Sequence, residues 1–524
     1  MTALSLPRLC LLALGLFSLV AAQPKVVTFA LSRNERHVLE KRKYAGALLG
    51  NDILDGKGLY WVNASVGTPP QPVQLQVDTG SSDVWMFGPQ SCDLNTSPCL
   101  GNAYDPTLSS TSKILDKGGF TIQYVTPGSG VKGDYVGDNF GFGSVTVQGL
   151  TMGVARQAQN VITGIMGIGF AAGESIVSQG QKPYKNIIDM LVEQELINTR
   201  AYSLWLNDVE ANFGGIMFGG YDTGKFTGDL IALPIQPDAQ TGGITSMTVA
   251  WTSLSLTDPK QGTQSLTGES FIAPAILDSG TALTYVPKDL YQQLAAFAQV
   301  VEVPGSDLGA VDCEQMRSYK GTLDYGFGGP NGPVIRVPFT ELAVPWLDDN
   351  GDYQKLSNGN DACVFGVVPI TDDSPILFGD TFLRSAYVVY DLDQQQIAIA
   401  PTRFNSEDTN IVEIGGKTGS SSPNWKTAGS NAAKVTQTAT GLQAPGGGLS
   451  PATMTAPTGW VFTQTATPFH LPGKGGSLTG DQASSSPSKG AASSSLGTAV
   501  PGALASIAVA SLCMAMGSML IVLQ

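Results

Sequence analysis

Histidine is almost missing from this 524-residue sequence; His37 and His470 are the only two. Both fall outside the segment identified below as the folded body. A body without histidine cannot run a Ser-His-Asp or Cys-His mechanism, nor hold a His-ligated zinc. Charge is scarce too, at 14% of residues, and its balance is acidic, with a net charge of −14 at pH 7. Such a surface repels phosphates and argues against nucleic acid as a partner. Little charge beside Gly 63 and Pro 31 leaves small room for long amphipathic helices and favours an all-β chain rich in turns. Whatever chemistry occurs must use carboxylates, hydroxyls, lysine or backbone, and no metal or cofactor is expected.

The two ends read as processing signals. Arg8 followed by the apolar run 9–20 and the small residues Val20-Ala21-Ala22 predicts a secretory signal peptide over 1–22. The basic segment 23–42 ends in Lys41-Arg42, a dibasic pair of the kind processing proteases cut. It is expected to be a propeptide, removed by cleavage after Arg42, that can lie over an acidic cleft. After Lys489 no charged residue follows, and 499–523 is apolar. Small residues near Gly490 and Ser493-Ser494-Ser495 precede it, the pattern of a GPI-attachment signal over 491–524. The expected location is the outer face of the plasma membrane or the cell wall. Between 403 and 490 the composition turns to Ser, Thr, Gly and Pro, which predicts a disordered stalk. The folded body is therefore expected over about 58–402, as two lobes, 58–210 and 211–402, in a monomer.

Of six cysteines, Cys10 and Cys513 lie in the terminal signals, leaving Cys92, Cys99, Cys313 and Cys363. An even set in a secreted chain should be oxidised. Three pairings exist; Cys92–Cys99 with Cys313–Cys363 keeps each pair in one half of the chain. Asn63 and Asn95 open glycosylation sequons.

Within the body, short alternating runs such as 59–66, 73–77, 120–124 and 386–391 read as strands. Segments 186–196 and 288–301 are the best helical patterns. One pattern occurs twice: Leu75-Gln76-Val77-Asp78-Thr79-Gly80-Ser81 and Ala275-Ile276-Leu277-Asp278-Ser279-Gly280-Thr281. An aromatic residue follows each at the same offset, Trp85 and Tyr285, and each has a downstream apolar-apolar-Gly partner, at Gly167 and Gly379. Two Asp turns 200 residues apart imply two similar lobes. If the lobes bring Asp78 and Asp278 together, two carboxylates in contact cannot both ionise and must share a proton. Such a pair holds an acid and a base at once and can hydrolyse an amide through activated water.

At these residues the chain resembles the pepsin-like family of aspartic endopeptidases, over roughly 59–401. The resemblance implies a bilobal all-β fold with a cleft between the lobes and a flap hairpin over it. It implies that Asp78 and Asp278 are catalytic. Ser81 and Thr281 would steady the outer carboxylate oxygens, and Thr79 and Ser279 would form a cross-lobe pair beneath, with Gly80 and Gly280 in the same turns. Tyr124 would be the flap tyrosine and Trp85 its hydrogen-bond partner. The flap departs from the family pattern: Tyr124 is followed by Val125-Thr126-Pro127-Gly128-Ser129-Gly130, about two residues longer and without the first Gly, which touches subsite preference and lid mobility. The ends of the chain are similar to those of the fungal, GPI-anchored, yapsin-like group, whose members often cut at basic residues; the short 92–99 loop is closer to ordinary pepsins. Two rival readings are a peptide-binding surface glycoprotein without activity and a two-carboxylate glycosidase. The intact motif residues oppose the first, and the symmetric Asp-x-Gly repeat opposes the second.

Overall fold

The computed structural model describes residues 26–33, 59–415 apart from 90, 92–99, 125–128, 144, 212, 240, 304–307, 349–350 and 371–374, and then 425–428 and 433–435. It is mostly β, with helices of at most eleven residues among those described. None of them is long and apolar enough to cross a membrane.

Each lobe is wired in the same way around its Asp strand. In the N lobe, Gln71–Asp78 runs antiparallel to Tyr60–Val66 and parallel to Gly164–Gly167. In the C lobe, Ala273–Leu277 runs antiparallel to Thr248–Asp258 and parallel to Ile376–Phe378. The strand after each Asp turn then folds back onto the same partner, with Val84 opposite Met166 and Thr284 opposite Phe378. These inner strands are buried on both faces, which is why they read as near-continuous apolar runs. The apolar-apolar-Gly partners are held close: a Cβ on Gly167 would lie 2.7 Å from the backbone of Asp83, and one on Gly379 would lie 2.3 Å from the carbonyls of Thr281 and Leu283.

A fourteen-stranded sheet joins the lobes. Its middle pairs Ala201–Trp205 with both Phe213–Phe218 and Ala386–Asp391. The hairpin therefore straddles the expected 210/211 boundary, and the lobes share these strands. Val27–Arg33, inside the segment expected to be a propeptide, is a strand of this same sheet. It lies between Phe213–Phe218 and Tyr60–Val66, in a six-residue register with the former. The signal peptide, Lys41-Arg42 and the C-terminal tail lie outside the described residues.

Described residues beyond 403, in the segment expected to be a stalk, pair with the body. Ile411–Glu413 pairs with Gly220–Asp222, and Lys426–Thr427 pairs in parallel with Ile231–Pro234. Ile414, Ala428 and Val435 are buried, Trp425 packs on Tyr221 at 6.0 Å, and the Val435 N–H donates to Gln236 Oε1 at 2.8 Å. A few apolar residues, each with a socket on the body, offset the ordering entropy that the average composition does not. Both helical patterns are present, shortened: Ile187–Glu193, capped by Asn186 and Asp189, and Lys288–Ala298, ended by Gln299 in the left-handed region. Cys313 and Cys363 form a disulfide with Cα atoms 5.1 Å apart; Cys92 and Cys99 lie outside the described residues.

Candidate active site

Asp78 closes its strand, and Asp278 follows directly on its own. Both side chains are fully buried. Their surroundings repeat atom for atom. Asp78 Oδ1 accepts the Gly80 N–H at 2.8 Å and Oδ2 accepts Ser81 Oγ at 2.5 Å. Asp278 Oδ1 accepts the Gly280 N–H at 2.8 Å and Oδ2 accepts Thr281 Oγ1 at 2.7 Å. Each carboxylate plane is thus set by its own turn.

The turns are locked to each other across the lobes. Thr79 Oγ1 donates to the Leu277 carbonyl at 2.9 Å and accepts the Ser279 N–H at 3.0 Å. Ser279 Oγ donates to the Val77 carbonyl at 2.9 Å and accepts the Thr79 N–H at 3.2 Å. Gln76 Nε2 adds a cross-lobe bond to the Gly280 carbonyl at 2.8 Å; the motif analysis quoted Gln76 without giving it a role. The Asp278 carboxyl packs onto Gly80, where a Cβ would lie 2.6 Å from Oδ1. Gly80→Ala must therefore push the two carboxyls apart. The expected result is a loss of cleavage of about 10²-fold or more, read as kcat/KM on a peptide, with the far-UV spectrum unchanged.

Burial raises Asp78 well above the usual carboxylate range. The neighbouring Asp278 charge raises it further, and a hydrogen bond between the two carboxyls favours the protonated form. Ser81 and the Gly80 N–H pull the other way without prevailing. Two carboxyls in contact resist ionising together, which favours a proton shared between them.

Tyr124 directly follows the first flap strand, Lys113–Gln123, and its N–H donates to the Ser129 carbonyl at 3.1 Å, closing the hairpin toward Gly130–Phe142. Residues 125–128, where the flap departs from the family pattern, lie outside the described residues. The Tyr124 ring is buried with Trp85, Phe120, Ile122, Val131 and Tyr135. Burial, followed by the Asp78 charge, pushes its hydroxyl well above the usual phenol range. The resemblance implies a hydrogen bond from Trp85 to Tyr124. Trp85 Nε1 and the Tyr124 hydroxyl are instead both buried without a bond of normal geometry, although the nearby indole still pulls the phenol pKa down against the larger effect of burial. Such contacts are commonly long without substrate and tighten when it binds. Tyr285, at the matching offset in the C lobe, pairs with Leu377 as Trp85 pairs with Ile165. Asn63 is exposed on its strand, and its Oδ1 accepts Gln74 Nε2 at 2.9 Å; Asn95 lies outside the described residues.

Residues 59–402 match the eukaryotic aspartyl protease family. The chain is 39% identical over 433 residues to the probable aspartic-type endopeptidase OPSB of Arthroderma benhamiae, covering 80% of this chain and 85% of that one. It is 34% identical over 401 residues to an acid protease of Saccharomycopsis fibuligera, covering 74% and 91%. Secreted aspartic protease 4 of Candida albicans is 31% identical over 391 residues, covering 72% and 84%. On these matches, over the span that carries both Asp turns, the chain belongs to the eukaryotic aspartyl proteases, pepsin-like endopeptidases that act on peptides and proteins.

Proposed function

We propose that Asp78 and Asp278 are the catalytic pair of this endopeptidase. The observation that carries the reading is the reciprocal Thr79–Ser279 lock between the turns that hold the two buried carboxyls. In the reaction, the ionised carboxyl takes a proton from water as the water oxygen attacks the peptide carbonyl. The protonated carboxyl gives its proton to the carbonyl oxygen. The tetrahedral intermediate then collapses: its C–N bond breaks, the nitrogen leaves with a proton from the carboxyl that first accepted one, and the other carboxyl, ionised in the first step, takes a hydroxyl proton as the C=O re-forms, so the pair again holds one proton. Ser81, Thr281 and the two glycine N–H groups hold the carboxyls in plane through these transfers, and Tyr124 on the flap covers the peptide.

We also propose that the enzyme is made as a secreted zymogen, cut after Arg42, and held as a monomer at the cell surface through a GPI anchor, as in the yapsin-like group. The signal-like N-terminus, the charge-free C-terminal tail and the relative named a secreted aspartic protease support this. The acidic balance of the chain supports a preference for basic residues at the cut.

The test incubates the full-length protein with a mixed peptide library at pH 4 and sequences the new termini by mass spectrometry. New internal termini enriched in Lys or Arg beside the cut are expected. Cuts at apolar residues alone would overturn the basic preference, and no cuts by folded protein would favour the peptide-binding reading. Phospholipase C should release the protein from membranes; full retention would overturn the anchor.

A further inference from the structure

The lobes repeat each other through the dyad, but five residues beyond each Asp they differ in kind. At that offset the C lobe has Leu283, buried in an apolar cluster. The N lobe has Asp83, equally buried but a carboxyl. A buried carboxylate must be matched by donors, and Asp83 gathers them from three separate segments. Its Oδ2 accepts the Ser175 N–H at 2.7 Å, and its Oδ1 accepts the Tyr184 hydroxyl at 2.7 Å. Ser175 Oγ and the Tyr135 hydroxyl stand farther off, at 3.3 and 3.4 Å, and are hydrogen-bonded to each other at 2.7 Å.

Those segments meet at the root of the flap. Tyr135 lies on the second flap strand, Ser175 opens the short helix Ser175–Ser178, and Tyr184 precedes the helix Ile187–Glu193. The Tyr135 ring meets Phe120 of the first flap strand edge-on at 5.3 Å and Tyr184 at 5.7 Å. Phe120 and Tyr135 belong to the cluster that buries Tyr124 and Trp85. The lobe that carries the flap is therefore the one in which the apolar residue is replaced by a carboxyl holding the flap's root.

We infer that Asp83 is a positioning residue for peptide binding: through Tyr184 and Tyr135 it fixes the root of the flap hairpin and so sets where Tyr124 stands over bound substrate. This rests on the reading of the dyad and flap given above. A hairpin held at its root moves most at its tip, so a small loosening at Tyr135 becomes a large displacement at Tyr124. Substrate binding should then suffer more than the proton transfers, which depend on the Thr79–Ser279 lock.

The test measures KM and kcat of the full-length protein at pH 4 on a single peptide taken from the library cuts. Tyr184→Phe and Asp83→Asn are compared with Asp83→Leu, the C-lobe residue, and with Asp278→Asn. Tyr184→Phe should raise KM roughly three- to tenfold, the size of one net hydrogen bond, with kcat within about twofold. Asp83→Leu should raise KM further, and Asp83→Asn, which keeps an acceptor oxygen, should recover part of that loss. Unchanged KM in Tyr184→Phe and Asp83→Asn would overturn the inference. So would a fall in kcat alone that tracks the fraction of folded protein. If Asp83→Leu does not fold, the two milder variants decide. Persistent cleavage by Asp278→Asn would instead overturn the dyad, and the KM comparison would still report on the flap.

Discussion

Asp278→Asn should leave a folded protein that no longer cuts peptides, with kcat at pH 4 lowered by about 10²–10⁴-fold or more, the usual share of a positioned acid or base. The same variant should be more stable than wild type at neutral pH. Asp78 has its affinity for protons raised by folding, through burial and the Asp278 charge. A carboxyl of this kind contributes fully below its unfolded value of 3.8, and that contribution erodes as pH rises toward the folded value. Making Asp278 neutral removes the like charge, so the stability difference should be small at pH 3 and widen toward pH 7. Thermal melts of both proteins across that range check the second half. Parallel melting curves at every pH would mean that the carboxyls are not in mutual repulsion, and more than a few per cent of residual cleavage would mean that Asp278 is not one of the pair. Wild-type activity should fade toward neutrality as the shared proton is lost; a flat profile to pH 8 would contradict this.

The second large effect belongs to Glu174, which plays no part in the proposed chemistry. It is fully buried beside Ser175; its Oε2 accepts the Tyr184 N–H at 2.8 Å, and its Oε1 has no partner. Burial pushes its carboxyl up to about 9, the Tyr184 N–H opposes this, and the charges of Asp83 and Asp189 add to it. Asp83 is itself raised by burial. The folded protein thus holds a proton at Glu174 that the unfolded chain releases near 4.5. Stability must fall as pH rises from 4.5 to about 9, with a slope of about 1.4 kcal/mol per pH unit from this group. Glu174→Gln keeps the acceptor for Tyr184 and cannot ionise, so it should remove that slope. Urea unfolding at pH 5, 7 and 8 measures it. An identical pH dependence in the variant would show that Glu174 is not held protonated.

The dyad was legible because its signal is local: seven residues, repeated, with the bonding partners Gly80, Ser81, Gly280 and Thr281 inside each repeat. The Cys313–Cys363 pairing could be chosen by keeping each pair within one half of the chain. What escaped was set by distant partners. Asp83 stands two residues beyond the repeated motif, but its donors Ser175 and Tyr184 lie 92 and 101 residues away. Nothing local marks Glu174 as buried. The strand Val27–Arg33 did leave a trace, with Val27, Phe29 and Leu31 alternating with Thr28, Ala30 and Ser32, the period of a half-buried strand. The charge of the surrounding segment drew the reading toward its role instead. The segment after Pro401 was judged by composition, and composition averages away the few apolar residues that dock.

That C-terminal segment also decides how the body answers to tension. A pull on the chain beyond Val435 reaches the Val435–Gln236 and Ala433–Gly328 bonds first. It then reaches the two-residue pairing at Lys426–Thr427 and the three-residue pairing at Ile411–Glu413. Only after these does it reach Gln396–Pro401, a strand of the sheet that both lobes share. Under such a pull these short pairings are expected to yield one after another, as a mechanical fuse does, before the strand Gln396–Pro401 is loaded.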